Sequence, residues 1–143
     1  MKMPSAAPNR VLCRVISSRL KAVESACGNI RALLQANGLG AVAFPVELAA
    51  RECLNNAALH GNRGNAAKRI GLDVRIGRNW IRVQVTDEGK GFDWRRARAA
   101  ALPGSRAIHG RGLPICARYA ERVVYNRRGN RVTLWLGKTK KEN

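Results

Sequence analysis

Apolar residues along this chain fall into two rhythms. Leu20, Val23, Cys27, Ile30 and Leu34 recur at three- and four-residue spacing, which predicts a helix with one buried face. Ser17 and Ser18 stand ready as its N-cap, and Gly38 and Gly40 stop it. A second helix is expected to open at Pro45, since proline in the first helical position forfeits no hydrogen bond. It runs to about His60 and ends in Gly61-Asn62-Arg63-Gly64. The period then changes to two. Ile70, Leu72, Val74 and Ile76 alternate with Gly71, Asp73 and Arg75, and Ile81, Val83 and Val85 alternate with Arg82 and Gln84. With Gly77-Arg78-Asn79 between them, these runs predict a hairpin with one buried face.

Val11 to Ile16, short and rich in β-branched residues, reads as a first strand. Val123 to Asn126 and Val132 to Leu136 read as a closing hairpin around Arg127-Arg128-Gly129-Asn130. Between the hairpins, a short helix is expected near Trp94 to Ala101 and a third substantial one over Leu113 to Ala120. Helices and hairpins are segregated, so the fold class is α+β: a two-layer α/β sandwich, its sheet mixed but mostly antiparallel, with helices on one face. Residues 1–10 read as a flexible arm, 11–137 as the domain and 138–143 as a basic tail.

A length of 143 residues suits one such core. No apolar run approaches the roughly 20 residues of a membrane helix, and residues 1–10 lack the apolar stretch of a secretion signal, so the expectation is a cytoplasmic protein without membrane contact. The cysteines (Cys13, Cys27, Cys53, Cys116) form no Cys-x-x-Cys pair and read as buried structural thiols. Charge changes the picture more. Lysine and arginine total 27 against 9 acids, a net +18 that is heaviest after Arg95 and draws polyanions or acidic partners. Trp80, Trp94 and Trp135 are spread along the chain rather than interleaved with the basic residues, which argues against a base-stacking platform. Only weak, non-specific nucleic-acid binding is expected from this pattern.

Three stretches carry candidate chemistry. On the second helix, at about 100° per residue, Glu47, Arg51, Asn55 and Ala58 share a mostly polar side, while Glu52 and Asn56 fall one turn apart among apolar neighbours. A carboxylate there costs several kcal/mol unless something pairs with it. An acid and an amide side by side suit a metal and a reacting group, although an ordinary buried Glu–Asn hydrogen bond explains the pair as well. In Thr86-Asp87-Glu88-Gly89-Lys90-Gly91-Phe92, strand parity puts Asp87 on the buried face, able to accept from a ligand amine. The glycines Gly89 and Gly91 let the backbone turn and a ligand approach, as they would in a plain β-turn. His109-Gly110-Arg111-Gly112 directly precedes the third helix, where free amides bind anions. His60 reads as a packing or capping residue, since no second ligand stands at metal spacing. No phosphate-loop motif of the Gly-x-x-x-x-Gly-Lys-Ser/Thr type is present.

In this order and spacing, the three stretches resemble the N-box and two glycine boxes of the ATPase superfamily that includes gyrase and sensor histidine kinases. Within it, residues 47–62, 85–93 and 109–131 are most similar to the anti-sigma-factor serine kinases of bacterial stress and sporulation control. The resemblance implies the histidine-kinase-like ATPase fold with ATP and Mg²⁺ as cofactors. By position, Glu52 resembles the catalytic base and Asn56 the Mg²⁺ ligand. Asp87 resembles the carboxylate that recognises the adenine amine. Gly89 and Gly91 resemble the glycines beneath adenine and ribose, and Gly110 and Gly112 those of the phosphate-proximal lid, with His109 and Arg111 beside them. Residues 92–108 correspond to the lid. The family's basic residue before the second glycine box has no clean counterpart, with Arg106 and Arg111 as candidates, and the high positive charge is unusual for the family.

The implied function is an ATP-binding anti-sigma factor that phosphorylates an antagonist protein on serine and sequesters a sigma factor; a homodimer is compatible with it. Two other classes stay open: a non-catalytic ATP-dependent interaction switch, and a basic nucleic-acid-binding protein. A sensor histidine kinase is disfavoured, because the sequence leaves no room for a phosphoacceptor helical domain.

Overall fold

The computed structural model describes residues 9–95 and 118–139. Five strands make one sheet: β1 (Val11–Ser17), β2 (Arg69–Ile76), β3 (Trp80–Asp87), β4 (Arg122–Tyr125) and β5 (Arg131–Gly137). Their order across the sheet is β1-β2-β3-β5-β4, and every described pair is antiparallel. Helices α1 (Leu20–Ala36) and α2 (Gly40–Asn56) pack on each other against one face. The α+β two-layer architecture is therefore as expected from the pattern of hairpins and helices. Among the described residues no helix is long and apolar enough to cross a membrane.

The core follows the two rhythms. Val23, Cys27, Ile30 and Leu34 of α1 are buried in one core with the inward side chains of β2 and β3, Ile70, Leu72, Val74, Ile81, Val83 and Val85. Leu134 and Leu136 extend that layer from β5. Each such side chain removed from water contributes about 1.5–3 kcal/mol. Burial pushes the Cys27 thiol up to about 11.

Several expectations are corrected. Leu20 is 61% exposed, because the apolar face of α1 starts at Val23. The N-cap position is Arg19, with no side-chain cap. Ser18 is buried instead, its hydroxyl donating to the Lys68 carbonyl at 2.8 Å, so a tertiary bond has outbid the local cap. Gly38 ends α1 as expected: at φ 72° it lets Leu39 N reach the Leu34 carbonyl at 2.8 Å and its own N–H reach Gln35 at 3.1 Å. Gly40, however, belongs to α2, which opens five residues before Pro45. Pro45 cannot donate to the Ala41 carbonyl, and since Ala41 is exposed, water can serve that group instead. Cys13 is exposed rather than buried, its thiol donating to Asp73 at 3.0 Å. The remaining expected pieces, the third helix up to residue 117, Cys116 and the lid from residue 96 onward, lie outside the described residues.

The helices cover one side of the sheet. The other side shows Val11, Cys13, Val15, Asp73, Arg75, Trp80, Arg82, Gln84, Thr133 and Trp135, the alternate positions of the same strands.

Candidate functional site

At the end of α2 the helix widens into a π turn, Ala57–Gly61, whose loosened geometry is common at functional sites. Two bonds mark it: Asn62 N to the Ala57 carbonyl at 2.7 Å and Gly64 N to Ala58 at 2.8 Å. The turn delivers Gly61 against the end of β3. A Cβ on Gly61 would overlap the Asp87 carboxylate, and one on Gly89 would strike the Gly61 carbonyl and lie 2.8 Å from Asp87 Oδ1. The absence of side chains at Gly61 and Gly89 is what lets Asp87 sit there. Gly89 N donates to Asp87 Oδ1 at 2.7 Å, which fixes the carboxylate in orientation.

Asn62, fully buried, locks this junction. Its Nδ2 donates to Ser18 Oγ at 2.9 Å and to the Arg69 carbonyl at 3.0 Å, and its Oδ1 accepts from Glu88 N at 2.9 Å. One amide thus ties the start of α1, the start of β2 and the Asp87 loop together. Sequence reasoning took Asn62 for a turn residue, and the sequence carries no sign of its distant partners.

The β4–β5 turn closes the other side. Asn126 Oδ1 accepts from the backbone N–H groups of Gly129, Asn130 and Arg131, at 2.8, 3.1 and 3.1 Å. Its Nδ2 donates to Asn130 Oδ1 at 2.7 Å. Asn130 in turn brackets Asp87: its Nδ2 donates to the Asp87 carbonyl at 3.0 Å, and its carbonyl accepts from Asp87 N at 2.9 Å. Gly91 (φ 86°) and Gly129 (φ 82°) let the two loops meet backbone to backbone, for a Cβ on Gly91 would overlap the Arg128 carbonyl and one on Gly129 that of Phe92. Trp94 stacks on Tyr125, ring centroids 5.7 Å apart, and donates its indole N–H to the Asn126 carbonyl at 2.9 Å.

These elements line an open cleft with an inner cavity of about 40 Å³. Its lining is Cys53, Asn56, Ala57, Val85, Asp87, Phe92, Tyr125 and the run Gly129 to Val132. A second cavity meets it at Asp87 and Gly129 and is lined by His60, Gly61, Arg63, Lys68, Gly89, Lys90 and Gly91. Arg63 adopts φ 53°, a left-handed backbone uncommon for any residue but glycine. The arrangement is a mostly apolar slot, walled by aromatic rings, with one oriented carboxylate inside it. A flat heteroaromatic ring bearing an amine fits such a slot, its faces against Val85, Val132 and the rings, its amine on the carboxylate.

Of the expected site residues, the structure brings Asn56, Asp87, Gly89 and Gly91 to these two cavities. Asp87 is half-buried rather than fully inside. Glu52 is half-buried on α2, one turn or about 6 Å of helix before Asn56, and does not itself line the cavity. It makes no ion pair or hydrogen bond among the described residues. Glu47, assigned by periodicity to a polar side, is buried at 7% exposure and paired with Arg31 and Arg51. His60 lies exposed at the second cavity. His109, Gly110, Arg111 and Gly112 lie outside the described residues. Gly61, Asn62, Asn126, Gly129 and Asn130 are the additions that only the fold reveals.

No curated protein matches the chain. Residues 16–137 do match the family model described as histidine kinase-like ATPase domain, a span running from the end of β1 through β5. With the slot, its carboxylate and this match in agreement, the chain belongs to the family of histidine kinase-like ATPase domains, and its ligand by family is ATP.

Proposed function

We propose that this domain is an anti-sigma factor with protein serine kinase activity, which phosphorylates an antagonist protein and sequesters a sigma factor. The observation that carries the catalytic part is Glu52: a carboxylate without an ion pair among the described residues, one helical turn from an amide that lines the nucleotide cavity. In this reading the adenine amine donates to Asp87, and Gly61 and Gly89 leave room for that contact. The amide oxygen of Asn56 would hold Mg²⁺, and His109, Gly110, Arg111 and Gly112, outside the described residues, would serve the phosphates as the resemblance implies. Among the described residues no three His, Cys, Asp or Glu side chains gather to hold a metal, which suits an ion brought in largely by phosphate oxygens and water. Mg²⁺ supplies neutralisation of the charge on the phosphates.

Glu52 takes the proton of the target serine hydroxyl. The serine oxygen bonds to the γ-phosphorus, the bridge between β- and γ-phosphates breaks, and ADP leaves. The protein otherwise positions the reactants. The experiment mixes the protein with radiolabelled ATP, Mg²⁺ and the antagonist encoded nearest to it, and reads phosphoserine. ATP binding without any transfer would overturn the kinase reading and leave an ATP-dependent interaction switch.

A further inference from the structure

We infer that the sheet face turned away from the helices binds single-stranded nucleic acid, at a site separate from the nucleotide cavity. Strand pairing builds there what the linear sequence hides. One rung crosses all five strands in register: Val11, Arg75, Arg82, Trp135 and Arg122. Trp135 therefore lies between two arginines that are 53 and 13 residues away in sequence. Neighbouring strands stand about 4.8 Å apart, so Arg75 to Arg122 covers roughly 14 Å of surface. Trp80 stands on the next rung of the same face, opposite Gly137, its ring centroid 4.8 Å from that of Trp135 and the rings at 75°. Trp80 is 36% exposed and Trp135 half-buried, so ring surface remains for a base.

The cations are held in place rather than left to wander. Asp73 accepts from Arg82 Nη2 at 2.9 Å and from Arg75 Nε at 3.2 Å. Burial works against the Asp73 charge, yet hydrogen bonds from Cys13, Arg82 and Arg75 keep its pKa below the usual range. One acid serves two guanidiniums, so the pair keeps a net positive charge. Two rungs along, Arg131 Nε donates to Thr86 Oγ1 at 3.0 Å, while Arg122 is exposed. Glu121, beside Gly137, and Glu88, whose Oε2 accepts from Arg69 N at 3.1 Å, are further acids bordering this face among the described residues. Between the arginines, Gln84 and Thr133 offer polar edges, and Gly71 opens a trough between Val15 and Thr86.

Charge complementarity calls for a polyanion, and the chain's +18 points the same way. The tryptophan pair narrows the class. An acidic protein surface would use the arginines and leave the rings idle, whereas unstacked bases lie on aromatic faces while their phosphates meet arginine. A duplex is disfavoured by shape: its major groove admits a helix or a two-stranded ribbon, and a five-stranded face is too broad.

The test is fluorescence anisotropy of the full chain, with ATP present, on labelled 12-residue oligo(dT) and oligo(U). A 12-base-pair duplex and polyglutamate serve as competitors. Single strands should bind better than either competitor. Trp135→Ala should weaken binding about 5- to 150-fold, the loss expected for one stacked base, and Trp135→Phe should recover most of it. Arg75→Gln with Arg122→Gln should lower the log–log salt slope by about 1.4, two phosphate contacts at roughly 0.7 each. Arg19→Gln with Lys21→Gln, an equal loss of charge on the helical side, should change it far less. Equal loss from both charge pairs would overturn the site, leaving diffuse attraction. Polyglutamate or duplex competing as well as the single strands would overturn the ligand class. A dimer in sedimentation that dissolves in Trp135→Ala, without oligonucleotide binding, would assign the face to a second copy. Circular dichroism melts of each variant separate lost binding from lost folding.

Discussion

Helix α2 carries two glutamates five residues apart and treats them in opposite ways. Glu47, in its first half, is buried between two guanidiniums: Arg31 Nε donates to Oε2 at 2.8 Å and Arg51 Nη2 to Oε1 at 3.1 Å. The Arg31 hydrogen bond is the chief reason its carboxyl lies below the usual range, with burial pushing the other way. Glu52, in the second half, is less buried and makes no ion pair or hydrogen bond among the described residues. A charge with permanent partners belongs to the fold, and one without them is available to a ligand or a proton. Burial alone would have ranked the two the wrong way round.

The sharpest test of that contrast is Glu52→Gln. It should cut phosphoserine formation about 10²–10⁴-fold, the usual worth of a general base, while ATP affinity and melting temperature stay near wild type. If ATP affinity collapses instead, Glu52 belongs to the binding site and not to the transfer step. Next comes Asp87→Asn, which removes a charged acceptor worth about 1.5–3 kcal/mol, so ATP affinity by calorimetry should fall roughly 10- to 150-fold. Unchanged affinity would remove Asp87 as the adenine selector. Gly61→Ala extends the comparison to the end of the same helical path. The new methyl displaces the Asp87 carboxylate, and at about 1–3 kcal/mol of overpacking both ATP affinity and melting temperature should drop.

The smallest effect concerns Glu47. Its folded pKa is lowered, so the unfolded chain binds more protons in the window between the two values. The stabilisation is complete above the unfolded value, near 4.3, and is lost as pH falls through the folded one. Glu47→Gln should therefore melt several degrees lower at neutral pH, converge on wild type in acid, and still bind ATP normally. A Glu47→Gln protein that melts like wild type at pH 7 would dissolve the distinction between the two glutamates.

Much of this molecule is legible because its signals are local. The alternation in β2 and β3 and the Gly38 stop each sit within a few residues of what they determine, whereas what Gly89 and Gly91 make room for lies far off, at Gly61 and Arg128. Pro45 misleads because a proline is permitted at a helix start without being required there. Asn62 and Asn126 are silent in sequence, since an amide's importance lies in its partners, and those of Asn62 reach as far as Ser18, 44 residues away. Leu20 continues a helical rhythm that the sheet is not positioned to use.

The place of β5 has a consequence for the order of synthesis. It is the last of the described strands to leave the ribosome, yet it inserts between β3 and β4 rather than adding at an edge. Until it arrives, β3 presents an open edge and Asp87 lacks Asn130, its bracket on the far side. The slot is therefore assembled only once β5 has been made. A nascent chain halted before residue 130 has made every expected nucleotide contact residue and still has no site to put them in.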